Sequence, residues 1–342
     1  MIGALTWARL SFRQQKWELL LVALGVAGVT AGMVWFASSL DALRATTPEC
    51  AEFMRNQGDP GLGPSGSCQP AMDAWWSMIG NTTMLQTFAL MAPFGIGVIL
   101  GAPLVAREID GGTAQLAWSL SRSRIAWLLR RFAFVLIFVV ALLAIVSGAS
   151  EVMAAATQPD RDLAEDFLYF GQRGLPVVAR GVGALMIGML VGAVIGRVLP
   201  AVLASAIVIG LAFAGLSLGQ EALNRGEATV QRFYDVNGRP IPFDFGALDV
   251  DYGILRPDGQ FVTYNEAFEG GLLVETYNDE LGRVYASESD LNAGRVFGED
   301  ARLVIPAERY PELVLRDSLV WLLAGGVALV LAAVVVVRRR PF

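Results

Sequence analysis

Six apolar runs set what this chain can fold into. A backbone that crosses hydrocarbon must satisfy its own hydrogen bonds, and a helix does so with about 20 mostly apolar residues. The runs cover residues 19–40, 84–106, 129–150, 176–196, 199–219 and 317–337. Only Arg197 and Val198 separate the fourth from the fifth, which predicts a tight helical hairpin. The first run is longer than the roughly 7–15-residue core of a signal peptide and follows 18 residues, so it reads as a retained span. Composition agrees: 54% of the 342 residues are hydrophobic and 17% charged, against about 45–50% and about 25% in soluble domains. The expected fold is an all-α polytopic membrane protein with six transmembrane helices.

Lysine and arginine in short loops set orientation. With residues 1–18 in the cytoplasm, the inner segments hold Arg9, Arg13, Lys16, Arg107, Arg122, Arg124, Arg130, Arg131, Arg197, Arg338, Arg339 and Arg340. The short outer segments hold Arg44, Arg55, Arg161, Arg173 and Arg180. Twelve against five puts both termini inside, with the 107–128 segment and the 338–342 tail in the cytoplasm. The outer loop 41–83 carries Cys50 and Cys68, on the side where disulfides persist, so the two are expected to pair. Residues 151–175 hold an acidic turn and the aromatics Phe167, Tyr169 and Phe170, which suits a helix lying at the outer interface. Residues 220–316 carry the turn signals VNGRP, RPDGQ and NDELGR between runs such as QFVTY and GRVYA. They predict a small extracellular domain with β-hairpins. Asp249 and Asp251 lack the rest of an EF-hand loop, so no metal site is expected.

Much chemistry is missing. There is no His, and the single lysine, Lys16, sits in RQQKWE, so neither a Ser-His-Asp triad nor a Walker A lysine exists. The chain is expected to be no enzyme and to hold no cofactor of its own. A net charge of −6 argues against nucleic acid. The span cores are almost free of ionisable residues, which disfavours an ion-coupled carrier. Arg180 lies near an outer end, within reach of snorkelling. An active transporter built this way needs its energy from another chain.

Two cytoplasmic segments are suited to such a partner. LTWARLSFRQQKWELL places Phe12 on an apolar face, Arg9 and Arg13 on a polar one, and Trp7 and Trp17 at interfacial level. It reads as an in-plane amphipathic helix, the alternative being a plain extension of the first span into the cytoplasm. LVAREIDGGTAQLAWSLSRSRIAWLLRR breaks at Gly111 and Gly112, offers Thr113 as an N-cap, and predicts a short helix followed by a turn at SRSR. Glu108 and Asp110 stand at one end, Arg122 and Arg124 at the other. Such an element fits a groove on a soluble partner, or it is a plain loop whose arginines only set topology. Gly188, Gly192 and Gly196 form a small-xxx-small row for close packing, between copies or, more simply, within one chain.

At these residues the sequence resembles the permease subunits of type-2 ABC transporters, in their actinobacterial drug-exporter-like form. The matching pieces are the two segments just quoted and PAERYPELVLRDSLVWLLAGG before the sixth run. The resemblance implies an N-terminal elbow helix carrying Trp7, Arg9, Phe12, Arg13 and Trp17. It implies a coupling element made of Arg107, Glu108, Asp110, Gly112, Thr113, Leu116, Ser119, Arg122 and Arg124. It further implies two ABC ATPase subunits holding ATP and Mg, beside a homodimer or heterodimer of permeases in the plasma membrane. Exporter function for a drug, antibiotic peptide or lipid would follow. The alternative is a non-transporting sensor or anchor whose extracellular domain signals through the cytoplasmic loop.

Overall fold

The computed structural model describes residues 4–50, 68–119, 121, 123–159, 161–235, 239, 241, 244, 246–273, 275–279 and 282–339. The chain divides into two compact units. The first holds residues 1–161, 169–214 and 312–342; the second holds 162–168 and 215–311.

Among the described residues, six helices are long and apolar enough to cross a membrane: Gln15–Thr46, Gln69–Asp110, Arg124–Thr157, Leu175–Ile195, Val198–Glu227 and Ala307–Arg338. The first belongs to α1 (Ala4–Thr46), whose backbone leaves helical geometry at Gln15, with φ −118° and ψ 16°. The kink separates the N-terminal segment from the span. Phe12 and Trp17 are exposed on either side of it, Trp17 by 71%. Trp7, Arg9 and Arg13 lie in that helix, and their side chains fall outside the described part of the structure.

The second span is compound. Helix α2 (Gln69–Ile96) starts after Cys68 with Pro70 in its first turn, so residues 69–83, read from the sequence as loop, are helical. Pro93 removes a backbone donor inside it. The helix then widens into a π turn over Gly97–Gly101 and continues as α3 (Ala102–Asp110). Cys50 and Cys68 are disulfide-bonded across an 18-residue separation, as expected. After the short helix α4 (Ala114–Ser119) come the spans α5 (Arg124–Thr157), α6 (Leu175–Ile195) and α7 (Val198–Glu227).

Helix α6 is the centre of the first unit. Apart from Arg180 it is apolar, and it is mostly buried, as a helix hydrophobic on nearly every face must be. Its glycines let neighbours touch backbone. A Cβ on Gly188 would lie 2.7 Å from the Gly97 carbonyl oxygen, and one on Gly192 would strike the carbonyl of Ala102. From the other side, a Cβ on Gly97 would lie 2.5 Å from that of Ala184. The glycine row therefore serves packing within one chain. Gly196 does not belong to that contact; it takes φ +69° and ends the helix. On another face, a Cβ on Gly325 of α10 (Tyr310–Arg338), which follows the short helices α8 (Tyr264–Glu269) and α9 (Glu288–Ala293) in the chain, would lie 2.8 Å from the Gly183 Cα. Helix α7 packs near its start, where Ala201 meets Ala102 and Ala106. Leu203, Ile207 and Leu211 are exposed.

Arg180 does not snorkel. It is buried on α6 and forms a two-pronged pair with Asp317 of α10, at 3.0 and 3.1 Å. A third donor reaches the Gly171 carbonyl at 3.0 Å. No local pattern signals this pair, because Asp317 comes from a helix 137 residues away. The interfacial helix expected over residues 151–175 is also absent as such. Helix α5 runs on to Thr157, and among the described residues from there to 174 only Leu163–Glu165 is helical, as one 3-10 turn. Tyr169, Gly171 and Gly174 all have positive φ, which no helix accommodates.

The second unit is a six-stranded antiparallel sheet built on a central strand β6 (Gly298–Ile305). On one side β6 pairs β2 (Leu248–Leu255), which pairs β3 (Phe261–Thr263). On the other it pairs β5 (Arg283–Tyr285) and β1 (Thr229–Arg232); β5 pairs β4 (Tyr277–Asn278). Turns at RPDGQ and NDELGR form the expected hairpins, with Gly259 and Gly282 at positive φ. The VNGRP turn is bracketed by an Asp235–Arg239 backbone bond of 2.8 Å, and its centre lies outside the described residues. Residues Ile254, Val262, Ala267, Leu273 and Val284 form the unit's own core. Residue Phe167 also belongs here, its N–H bonded to the Gly246 carbonyl at 2.9 Å. Asp249 pairs with Arg302 and Asp251 with Arg225, so the two carboxylates serve different arginines.

Glycine packing and the disulfide set three stability outcomes. Gly188→Ala, which drives a Cβ into a backbone carbonyl, should destabilise by about 1–3 kcal/mol. Gly210→Ala on α7, where a Cβ meets nothing within 4 Å, should be neutral or gain up to about 1 kcal/mol. Unfolding midpoints of the two variants in detergent micelles check the contrast. Replacing Cys50 and Cys68 by serine should cost about 3 kcal/mol for a closed loop of this length, read in the same assay.

Candidate coupling site

The segment after the second span folds as its residues dictate. Helix α3 stops where the Gly111 N–H returns to the Arg107 carbonyl at 2.9 Å and Gly112 takes φ +68°, a conformation glycine adopts without cost. Thr113 stands at the boundary of α4, its carbonyl accepting the Ala117 N–H at 3.0 Å. Helix α4 ends at Ser119. Ser123 then caps α5, its hydroxyl oxygen accepting the Ala126 N–H at 3.1 Å. The short helix and following turn match the sequence reading. Arg122 lies outside the described residues.

Glu108 is buried, only 5% exposed. One carboxylate oxygen accepts from Arg131 Nη1 at 2.5 Å, and the other accepts from the Thr113 hydroxyl. Arg131 is equally buried on α5. Its guanidinium lies 5.5 Å from the centre of the Trp127 ring, which stands edge-on to Trp118. Arg124 covers Trp118 from 4.6 Å. The two cations and two indoles form one column of cation–π and edge-to-face contacts.

Other polar groups of the segment reach further spans. Arg107 pairs with Glu18 of α1. Asp110 accepts the Val198 N–H at 3.1 Å, an acid at the first turn of α7, where the helix dipole favours it. Arg124 donates to the carbonyls of Val337 and Arg339 at 2.9 and 2.7 Å, closing the C-terminal end of α10. Arg339 in turn donates to Ala193 and Val194 at the end of α6, at 2.5 and 3.2 Å. Arginines at helix C-termini satisfy carbonyls that have no partner inside the helix.

The predicted residues Arg107, Glu108, Asp110, Gly112, Thr113, Leu116, Ser119 and Arg124 thus lie together. They divide into two roles. Asp110, Gly112, Thr113, Leu116 and Ser119 are exposed, Leu116 by 63%. Glu108, counted from the sequence among the partner-contacting residues, turns inward and holds the segment to α5. Sequence reasoning missed Glu18, Arg131, Arg339 and the Trp118–Trp127 contact. The available signal was an acid and a base each bordering an apolar run, since neither is stable alone in hydrocarbon.

The arrangement makes a sharp energetic test. Arg131→Met strands a buried carboxylate and should cost about 3–5 kcal/mol. The double variant Glu108→Leu with Arg131→Met removes both charges and should recover most of that loss. Detergent unfolding of the two variants reads the difference; equal losses would mean that the pair is not coupled.

A family described as ABC-2 membrane transporter related matches residues 22–218, more than half of the chain and inclusive of the whole 107–131 segment. No curated protein and no solved structure matches. With six candidate spans and this match, the chain belongs to the ABC-2 membrane transporter related family and is a multi-pass membrane protein of the ABC-2 permease type.

Proposed function

We propose that this chain is the membrane-spanning subunit of an ATP-driven ABC exporter that moves a hydrophobic or amphipathic substrate, such as a drug, antibiotic peptide or lipid. One observation carries the reading. The exposed α4 turn is tied by hydrogen bonds or ion pairs of its flanking residues to α1, α5, α7 and α10, and through Arg339 to α6. A push on Leu116 and its neighbours is thereby distributed over the bundle. In this reading two ABC ATPase subunits dock on Asp110, Gly112, Thr113, Leu116 and Ser119. Glu108 and Arg131 transmit the load inside, and Arg122 and Arg124 flank the turn. ATP and Mg sit on the ATPases, consistent with a sequence that has no Walker A lysine and no histidine.

The segment before the Gln15 kink acts as the elbow helix at the inner membrane surface, with Trp17 at interfacial depth. Both termini and the α4 turn face the cytoplasm of a plasma-membrane permease, and the disulfide and the sheet unit face outward. Two permeases, identical or related, complete the exporter. Closure of the ATPases on ATP drives alternating access by rearranging the helices around α6.

Leu116→Glu tests the docking surface, because the exposed side chain contributes little to the fold. Purification of the full chain from its native membrane should recover an ABC ATPase, and the variant should retain roughly tenfold less of it, about 1.4 kcal/mol of lost binding. Insertion and thermal stability should stay unchanged. Absence of any ATPase with the unaltered chain would favour the sensor or anchor reading instead.

A further inference from the structure

One feature of the first unit is not used by the coupling site. Between α1, the α2–π segment and α5 runs an open slot of about 490 Å³. This is within the range of small-molecule pockets. Buried Val26 and Val146 form its floor, and exposed Phe88 and Met91 stand at its rim. Every lining side chain is apolar. At Gly25 and Gly95 the walls are bare: a Cβ on either would meet nothing within 4 Å. Gly97, Gly101, Gly188 and Gly192 are instead filled by neighbouring backbone. Open glycines also occur outside the slot, at Gly28, Gly148 and Gly210, so the slot is defined by its apolar lining and not by its glycines alone.

We infer that this slot binds the hydrocarbon chain of an amphiphile, with its polar head at the level of the Glu18–Arg107 pair. The slot lies along spans whose surroundings are lipid, and it offers no group for hydrogen bonding, so only hydrocarbon occupies it without a desolvation cost. Leu21 lines one end. It is one helical turn from Glu18, whose carboxylate pairs with Arg107. An apolar trough that ends at an ion pair matches a molecule with a tail and a polar head. A second copy of this chain is the competing occupant, and the state of the dimer separates it from a lipid chain. The inference rests on the export reading for its meaning, since it names the substrate class as single-chain amphiphiles.

The open glycines supply the test, because leucine at either position fills the slot without displacing the fold. The full chain in phosphatidylcholine vesicles is irradiated with a diazirine-bearing palmitic acid, and the adducts are mapped by mass spectrometry. Adducts should concentrate on residues 21–29 and 88–99. In the Gly25→Leu, Gly95→Leu double variant they should fall roughly tenfold, with an unfolding midpoint no lower than that of the unaltered chain. Even labelling of the exposed faces of α7 and α10 in both proteins would overturn the site, as ordinary bilayer contact. Undiminished labelling with a loss of dimer in the variant would overturn it in favour of a second copy. Failure to recover an ATPase would remove the export reading and leave the labelling result intact.

Discussion

Helix α6 is surrounded, and its neighbours reach it through bare backbone. Between helices in lipid there is no hydrophobic driving force of the kind that assembles a soluble core, because lipid tails are as apolar as leucine. Association has to come from close packing and from paired polar groups. Gly188 and Gly192 on α6, facing Gly97, Gly101 and Ala102, supply the first. The π turn at Gly97–Gly101 brings its glycines onto α6, and Pro93 one turn earlier weakens the α-helical ladder that would otherwise continue. The compound shape of the second span and the centrality of α6 are one arrangement.

Paired charges supply the second. Arg180 with Asp317 joins α6 to α10, and Glu108 with Arg131 joins the α3 end to α5. Neither pair is needed to make a helix. Both fix which helices are neighbours, because a lone charge in a low-dielectric interior is far costlier than a matched one. The pair at Glu108 also sits beside the α4 turn. The residue that holds the turn to the bundle and the residues the turn presents outward are therefore different residues of the same short segment.

Local chemistry accounts for the shape of the α4 segment. Two glycines and a serine cap mark helix ends through their own backbone preferences, and each acts where its residue type predicts; the Thr113 hydroxyl, expected to cap α4, donates to Glu108 instead. The same holds for the six spans and for the hairpins closed at Gly259 and Gly282. Sequence reasoning fails where a contact joins distant positions. Arg180 reads as a snorkelling arginine until Asp317 is beside it, and Glu108 reads as a docking acid until Arg131 takes it. The stretch around Tyr169 has the composition of an interfacial helix. Its positive-φ residues and the bond from Arg180 to the Gly171 carbonyl rule that conformation out.

From residue order by itself follow six runs long and apolar enough to cross a membrane, the positions where helices break, the lack of histidine and of a Walker A lysine, and two cysteines available to bridge. These follow from hydrophobic run length and from local backbone preferences, which act within a few residues. Tertiary contacts make α6 the hub and β6 the centre of the sheet, turn Glu108 inward, and fill Gly188 and Gly192 while leaving Gly25 and Gly95 open. Those outcomes depend on which surfaces meet across separations of tens to hundreds of residues. Ion pairing and backbone-to-backbone packing are set by such meetings, and no local pattern encodes them.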